Sequence, residues 1–120
     1  MAISATGLVG LGPAPTVKSA TANCIAGANT AVVAAVAAKC IAVLTITASA
    51  NTNAATLIDL RDGASTVKWH FTPVLVGGIS VSAPAGGYLF RGTANTALNL
   101  FGTGATANCV VSVSYVEEAP

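Results

Sequence analysis

The sequence predicts an all-β fold: a single-domain β-sandwich, jelly-roll-like, of about eight antiparallel strands behind an extended N-terminal arm. Three observations carry this expectation. Short runs alternate apolar and polar residues with period 2, the pattern of strands whose side chains point to opposite faces. Gly, Pro and Asn clusters separate these runs at roughly 8–12-residue intervals, the spacing of sandwiches and barrels. No segment carries charged residues at helical spacing, and nothing alternates strand with helix as a βαβ fold would. A chain of 120 residues is enough for one core.

Residues 1–20 are rich in Gly, Pro, Ala, Ser and Thr around GLVGLGPAP. They hold too few large apolar side chains for a core of their own and read as an arm. Residues 21–120 are the sandwich. Within it Thr21–Ile25 reads as a short edge strand, and Asn29–Val36 as a strand with Val32, Ala34 and Val36 on one face. Its alanines would also suit a helix; closeness to the next β-run favours the strand.

Lys39–Ala50, KCIAVLTITASA, is the longest strand-like run and the centre of the expected sheet. Strict alternation puts Cys40, Ala42, Leu44, Ile46 and Ala48 on one face, with Ile41, Val43, Thr45 and Thr47 on the other. Both faces are apolar or mildly polar, which suits a strand covered on each side. One face is expected in the core. Ile41, Val43 and Thr45 are expected at or near a subunit contact, together with Leu8, Val9 and Leu11 of the arm.

A turn at SANTN leads to Ala55–Asp62, and Asp62-Gly63 is a tight-turn signal. Thr66–Phe71 alternates cleanly, with Val67, Trp69 and Phe71 inward and Lys68 and His70 outward. Ile79–Ala83, Tyr88–Thr93, Ala97–Gly102 and Ala107–Glu117 complete the strands. The last has Cys109, Val111, Val113 and Tyr115 on one face. The Gly77-Gly78 and Gly86-Gly87 pairs read as connecting turns. Neither opens a helix or carries a GK[ST] element, so they are not phosphate loops.

Only 8% of residues are charged and the formal charge is +1. Ordinary soluble domains carry about 25%, so this surface is neutral, and neutral surfaces associate. A homo-oligomer is expected. Five basic residues spread from Lys18 to Arg91 form no patch for nucleic acid. The mean hydropathy of +0.73 comes from many alanines and valines. No run approaches the roughly 20 apolar residues of a spanning helix, and no basic stretch precedes an apolar one as in a signal peptide. A soluble protein without membrane association is expected.

Cys24, Cys40 and Cys109 form no CxxC or Cys/His cluster, so no zinc site is expected. They read as buried free thiols of a protein made in a reducing cytoplasm, with a bridge from Cys24 to either of the others left open. His70 is the only histidine. A hydrolase would need it beside a nucleophile and an orienting carboxylate, and no nucleophile elbow is present. It reads as a surface or contact residue. Asp59, Asp62, Glu117 and Glu118 form no obvious pair. Asp59, Arg61 and Asp62 suit a solvated turn and an ion pair, and Asp59 and Asp62 lack the spacing of an EF-hand. No catalytic residue, metal or cofactor is expected. Trp69, Phe71, Tyr88 and Phe90 could stack on a carbohydrate, but aromatics are only 5% of the chain and the core needs most of them.

The segment NTAVVAAVAAKCIAVLTITASANTNAATLIDLRDGAS, followed by GGISVSAPAGGYLFRGTANTALNLFGTGATANCVVSVSYVEE, resembles a family of small β-sandwich virion proteins of tailed bacteriophages. The likeness covers about Asn29 to Glu118. It lies in a Lys-led apolar strand, a following L-x-DG segment, a Gly-rich approach to ALNL, and a closing YVE. The resemblance implies a jelly-roll subunit, often trimeric, on the capsid or at the collar or tail, without enzymatic activity. The expectation that follows is a capsid decoration or cement protein. It would be made in the bacterial cytoplasm, reside on the capsid surface, and bind the major capsid protein. The alternative is a tail or head-fibre component that binds host-surface glycan through Trp69 or Tyr88.

Overall fold

The computed structural model of the chain describes residues 16–24, 27–50, 57–71, 78–103 and 109–120. Within them the β-branched and apolar runs form nine strands. These are β1 (Lys18–Asn23), β2 (Asn29–Val33), β3 (Cys40–Ala50), β4 (Leu57–Asp62), β5 (Thr66–Phe71), β6 (Gly78–Ser82), β7 (Phe90–Arg91), β8 (Leu98–Thr103) and β9 (Cys109–Glu118). One sheet has the order β1-β9-β3-β6, with β7 also on β3. The other has the order β2-β8-β4-β5. Every pairing is antiparallel.

Leaving out the two-residue β7, the pairs nest: β1 with β9, β2 with β8, β3 with β6, β4 with β5. One long hairpin is wrapped so that its pairs fall alternately into two sheets. This is the jelly-roll arrangement, and it makes the fold an all-β sandwich.

The inner faces of the two sheets meet in one core. Ile41, Val43, Ile46 and Ala48 of β3 lie with Val111 and Val113 of β9 against Ile58, Leu60, Leu98 and Leu100 of β4 and β8. Val32, Val33 and Phe90 close its margins. Each such large aliphatic side chain is worth about 1.5–3 kcal/mol when fully buried.

The central strand corrects the expectation of strict alternation. Against β9, Val43 stands opposite Tyr115 and Thr45 opposite Ser114, so Leu44 is one residue too many. A β-bulge of this kind shifts the phase of the strand. Ile41 and Val43 therefore share the core face with Ile46 and Ala48, while Cys40 and Ala42 fall on the outer face with Thr45 and Thr47. Ile41 and Val43 are 3% and 0% exposed within the chain itself. Their cover is the sandwich, and no neighbouring subunit is needed to bury them. Thr45, half-buried on the outer face, is the member of that expected set that faces outward.

A second bulge corrects β5. Leu60 pairs with Trp69 but Arg61 pairs with Val67, so Lys68 is extra and Val67 turns out, 45% exposed. Trp69 and Phe71 still pack on the core, and Lys68 and His70 are exposed as expected.

Strand bounds moved as well. β1 begins at Lys18, so the expected border between residues 20 and 21 cuts through a strand. β2 stops at Val33, where a turn with Ala38 at φ +56° leads into β3. The expected Tyr88–Thr93 strand contracts to Phe90–Arg91. Residues 83–89 leave the edge of β3 and return: the Ala83 N–H bonds to the Leu44 carbonyl and the Leu89 N–H to that of Val43. Gly86 at φ +79° makes the turn between them. Leu8, Val9 and Leu11, the SANTN turn at 49–53, Ile25 and Gly77 lie wholly or partly outside the described residues.

Candidate functional site

Register across the sheet β1-β9-β3-β6 assembles a surface that no single strand carries. Residues directly opposite in an antiparallel pair share a face. Ser19 faces Ser114, Ser114 faces Thr45, and Thr45 faces Ser82. One rung further, Thr21 faces Ser112, Ser112 faces Thr47, and Thr47 faces Ser80. The outer face thus bears two rows of four hydroxyls. Strands are spaced about 4.8 Å apart and the rows about 7 Å. Within the rows Thr21 and Ser112 are hydrogen-bonded at 2.8 Å and Thr45 and Ser114 at 2.6 Å. No charged side chain stands in either row.

At one end of these rows the excursion 83–89 walls off a groove of about 510 Å³. Val17, Leu44, Ala83, Pro84 and Val116 supply apolar lining, Thr45 and Glu118 polar lining, and Tyr88 stands at 48% exposure. Charges collect at this end of the sheet. Lys18 Nζ lies 2.8 Å from Glu117 Oε2, and Arg91 Nε lies 3.0 Å from Glu118 Oε2. The bond and the charge of Glu117 raise the Lys18 pKa above its ordinary value. As exposed or half-exposed pairs they order the rim more than they stabilise the fold.

The opposite sheet carries a different device on its outer face. Asp59 is 5% exposed and its carboxylate meets Arg61 Nη2 at 3.1 Å. The guanidinium lies 3.8 Å from the centre of the Phe101 ring and also donates to the Ala64 carbonyl. Carboxylate, aromatic face and backbone carbonyl together hold the two terminal nitrogens and the face of a cation that would be costly to bury alone, while its buried Nε has no hydrogen-bond partner among the described residues. His70 stands directly across from Asp59 in the β4–β5 ladder, exposed. Among the described residues it hydrogen-bonds to no carboxylate or hydroxyl, and no nucleophile, base and orienting acid are brought together. Asp62 is engaged by Thr93 and Asp59 by Arg61, so the two do not converge. Among the described residues no three His, Cys, Asp or Glu side chains are grouped to hold a metal.

Of the aromatic candidates, Trp69, Phe71 and Phe90 are spent on the core, and Tyr88 alone is presented outward. Sequence reasoning missed the hydroxyl rows and the groove. A signal for the rows was present: Ser19/Thr21, Thr45/Thr47, Ser80/Ser82 and Ser112/Ser114 are each hydroxyl pairs two residues apart. The groove had none, because Val17, Leu44 and Val116 meet only through the bulge and the fold.

Comparison with known proteins finds no matching family model, no matching curated protein and no matching solved structure.

Proposed function

We propose that the chain is a structural subunit of a bacteriophage virion, a decoration or cement protein that binds and stabilises the head shell as a homotrimer. The observation that supports this most is the uncharged double row of hydroxyls on the outer face of the β1-β9-β3-β6 sheet. Covering a charged face costs far more desolvation than covering hydroxyls that find partners in the interface. Two rows with no charge and many short hydroxyls can therefore be laid against a shell repeatedly, by many small contacts. The jelly-roll topology is in keeping with this, since capsid domains use it. Lectin domains and cupins use it too, so fold by itself does not choose.

The test is assembly. Cryo-EM of the particle should place this chain on the shell, and purified protein should co-sediment with undecorated shells made of the major capsid protein. Thr47→Lys and Ser112→Lys should abolish co-sedimentation while leaving the melting temperature unchanged. Absence of the chain from the shell, or unaltered binding by both variants, would overturn the proposal. Light scattering that reports a monomer at all concentrations would reject the trimer.

A second reading is favoured by one observation, the outward Tyr88 above an apolar groove with Thr45 and Glu118 on its wall. Aromatic faces stack on sugar rings and neighbouring hydroxyls and carboxylates bond their hydroxyls. In that reading the protein is a tail or head-fibre component that binds host-surface glycan. Binding on a glycan array that is lost in Tyr88→Ala would support it; an array without binding would reject it.

A further inference from the structure

We propose that Cys24 and Cys109 are a cross-strand dithiol that closes to a disulfide when the folded chain meets an oxidising environment, stapling β1 to β9. The β1–β9 register pairs Asn23 with Val110, and continuing it by one residue sets Cys24 against Cys109. The Cys24 N–H donates to the Cys109 carbonyl at 2.8 Å, so the ladder does continue there. In a hydrogen-bonded antiparallel pair the Cα atoms stand about 5.5 Å apart, which is within the range a disulfide spans. Both residues belong to the same core cluster, so both side chains enter the sandwich from neighbouring strands. The position requires no movement of the sheet from one layer to another.

Cys40 does not compete. It stands opposite Glu118, at the far end of β9 from Cys109. Nine residues of strand separate them, about 30 Å at strand rise. It also lies on the outer face of the sheet, whereas the other two lie on the core face. Of the two partners that the sequence leaves open for Cys24, the register places Cys109 beside it and Cys40 far away.

β1 is the element that such a bond would fasten. Among the described residues it is an edge strand, held in its sheet by β9 alone. Its inward residues are Ala20 and Ala22, which bury little apolar area. Edge strands with so small an anchor open first, and that opening is also the route by which an oxidant reaches two buried thiols. Burial raises both thiol pKa values, so little thiolate is present at neutral pH and closure is slow. The electron acceptor is a small-molecule disulfide such as oxidised glutathione. The thiolate of one cysteine attacks it, expelling one small thiol and leaving a mixed disulfide. The second cysteine then displaces the other small thiol. One S–S bond forms in the protein and one is lost from the oxidant, which takes up the two electrons and two protons. The inference stands apart from the virion reading.

The test uses the full chain, reduced and then incubated for a day with oxidised glutathione at mildly alkaline pH. Thiols are counted by alkylation after denaturation, with peptide mapping by mass spectrometry. Two of the three thiols should be protected, with Cys24 linked to Cys109 and Cys40 alkylated. The melting temperature should rise by several degrees and fall back with dithiothreitol, because the bond closes a long loop. Cys40→Ser should behave as the parent, and Cys24→Ser should show neither bridge nor rise. Three free thiols, a bridge through Cys40, stable glutathione adducts without a bridge, or the same rise in Cys24→Ser would each overturn the proposal.

Discussion

The Asp62 carboxylate receives both the backbone N–H and the hydroxyl of Thr93, at 3.0 and 2.7 Å. Asp62 ends β4 in one sheet, and Thr93 follows β7 on the other. A single side chain therefore ties the two layers at one corner of the sandwich. A Cβ at Gly92 beside it would lie 2.8 Å from the Asp62 carboxylate, so a side chain there would require that carboxylate to shift. Asp62→Ala is expected to cost about 2 kcal/mol, the worth of a charge-assisted bond and its neighbour. Asp62→Asn should lose about half of that. Urea denaturation at neutral pH measures both, and an unchanged midpoint in Asp62→Ala would show the tie to be idle.

Ile41 tests the bulge. With its side chain in the core, Ile41→Ala should cost about 2–5 kcal/mol, and the loss should not depend on protein concentration. Leu44→Ala, at the extra residue whose side chain lines the groove, should cost about 1 kcal/mol or less. Equal losses for the two, or a concentration-dependent loss at Ile41, would return Ile41 to an interface.

Arg61 and Asp59 are expected to behave as a unit. Arg61→Ala leaves a buried carboxylate without its cation and should cost about 3 kcal/mol. The double change Asp59→Asn with Arg61→Met should cost less than the single one. Additive losses in that double-mutant cycle would mean that the pair is not coupled.

Alkaline pH should weaken the fold through Cys24. Burial holds its thiol at about 11 against an ordinary 9.0. A group raised in the fold lends stability that is complete below its unfolded pKa and is lost as pH climbs through the folded value. The window is therefore pH 9 to 11, and the loss is about 3 kcal/mol at most. Lys18, raised by Glu117, adds a loss of the same sign at higher pH. Cys24→Ala, compared with the parent across this range, should flatten the earlier fall. Parallel pH profiles would contradict the assignment.

Much of the sandwich was legible along the chain, and the reasons are local. Thr66–Phe71 was bounded correctly because alternation and the Asp62-Gly63 turn are both short-range signals. The closing strand showed its core face, Cys109, Val111 and Val113, in the same way. Where the assignment of side chains to faces failed in β3 and β5, an extra residue was the cause. Leu44 and Lys68 each shift the phase of their strand by one, and period-2 reading cannot see a bulge because both sides of it alternate normally.

By itself, then, the sequence determined the fold class, the turns at Gly63 and Gly86 and the low charge of the chain, since these follow from composition and from neighbours a few residues apart. Tertiary structure alone decided which face of β3 is core, that Ile41 and Val43 are covered by their own chain, and that Cys24 lies beside Cys109 rather than Cys40. It also turned four separate hydroxyl pairs into one surface. Those decisions rest on register between strands far apart in the chain, and register is set by pairing and packing that no local pattern contains.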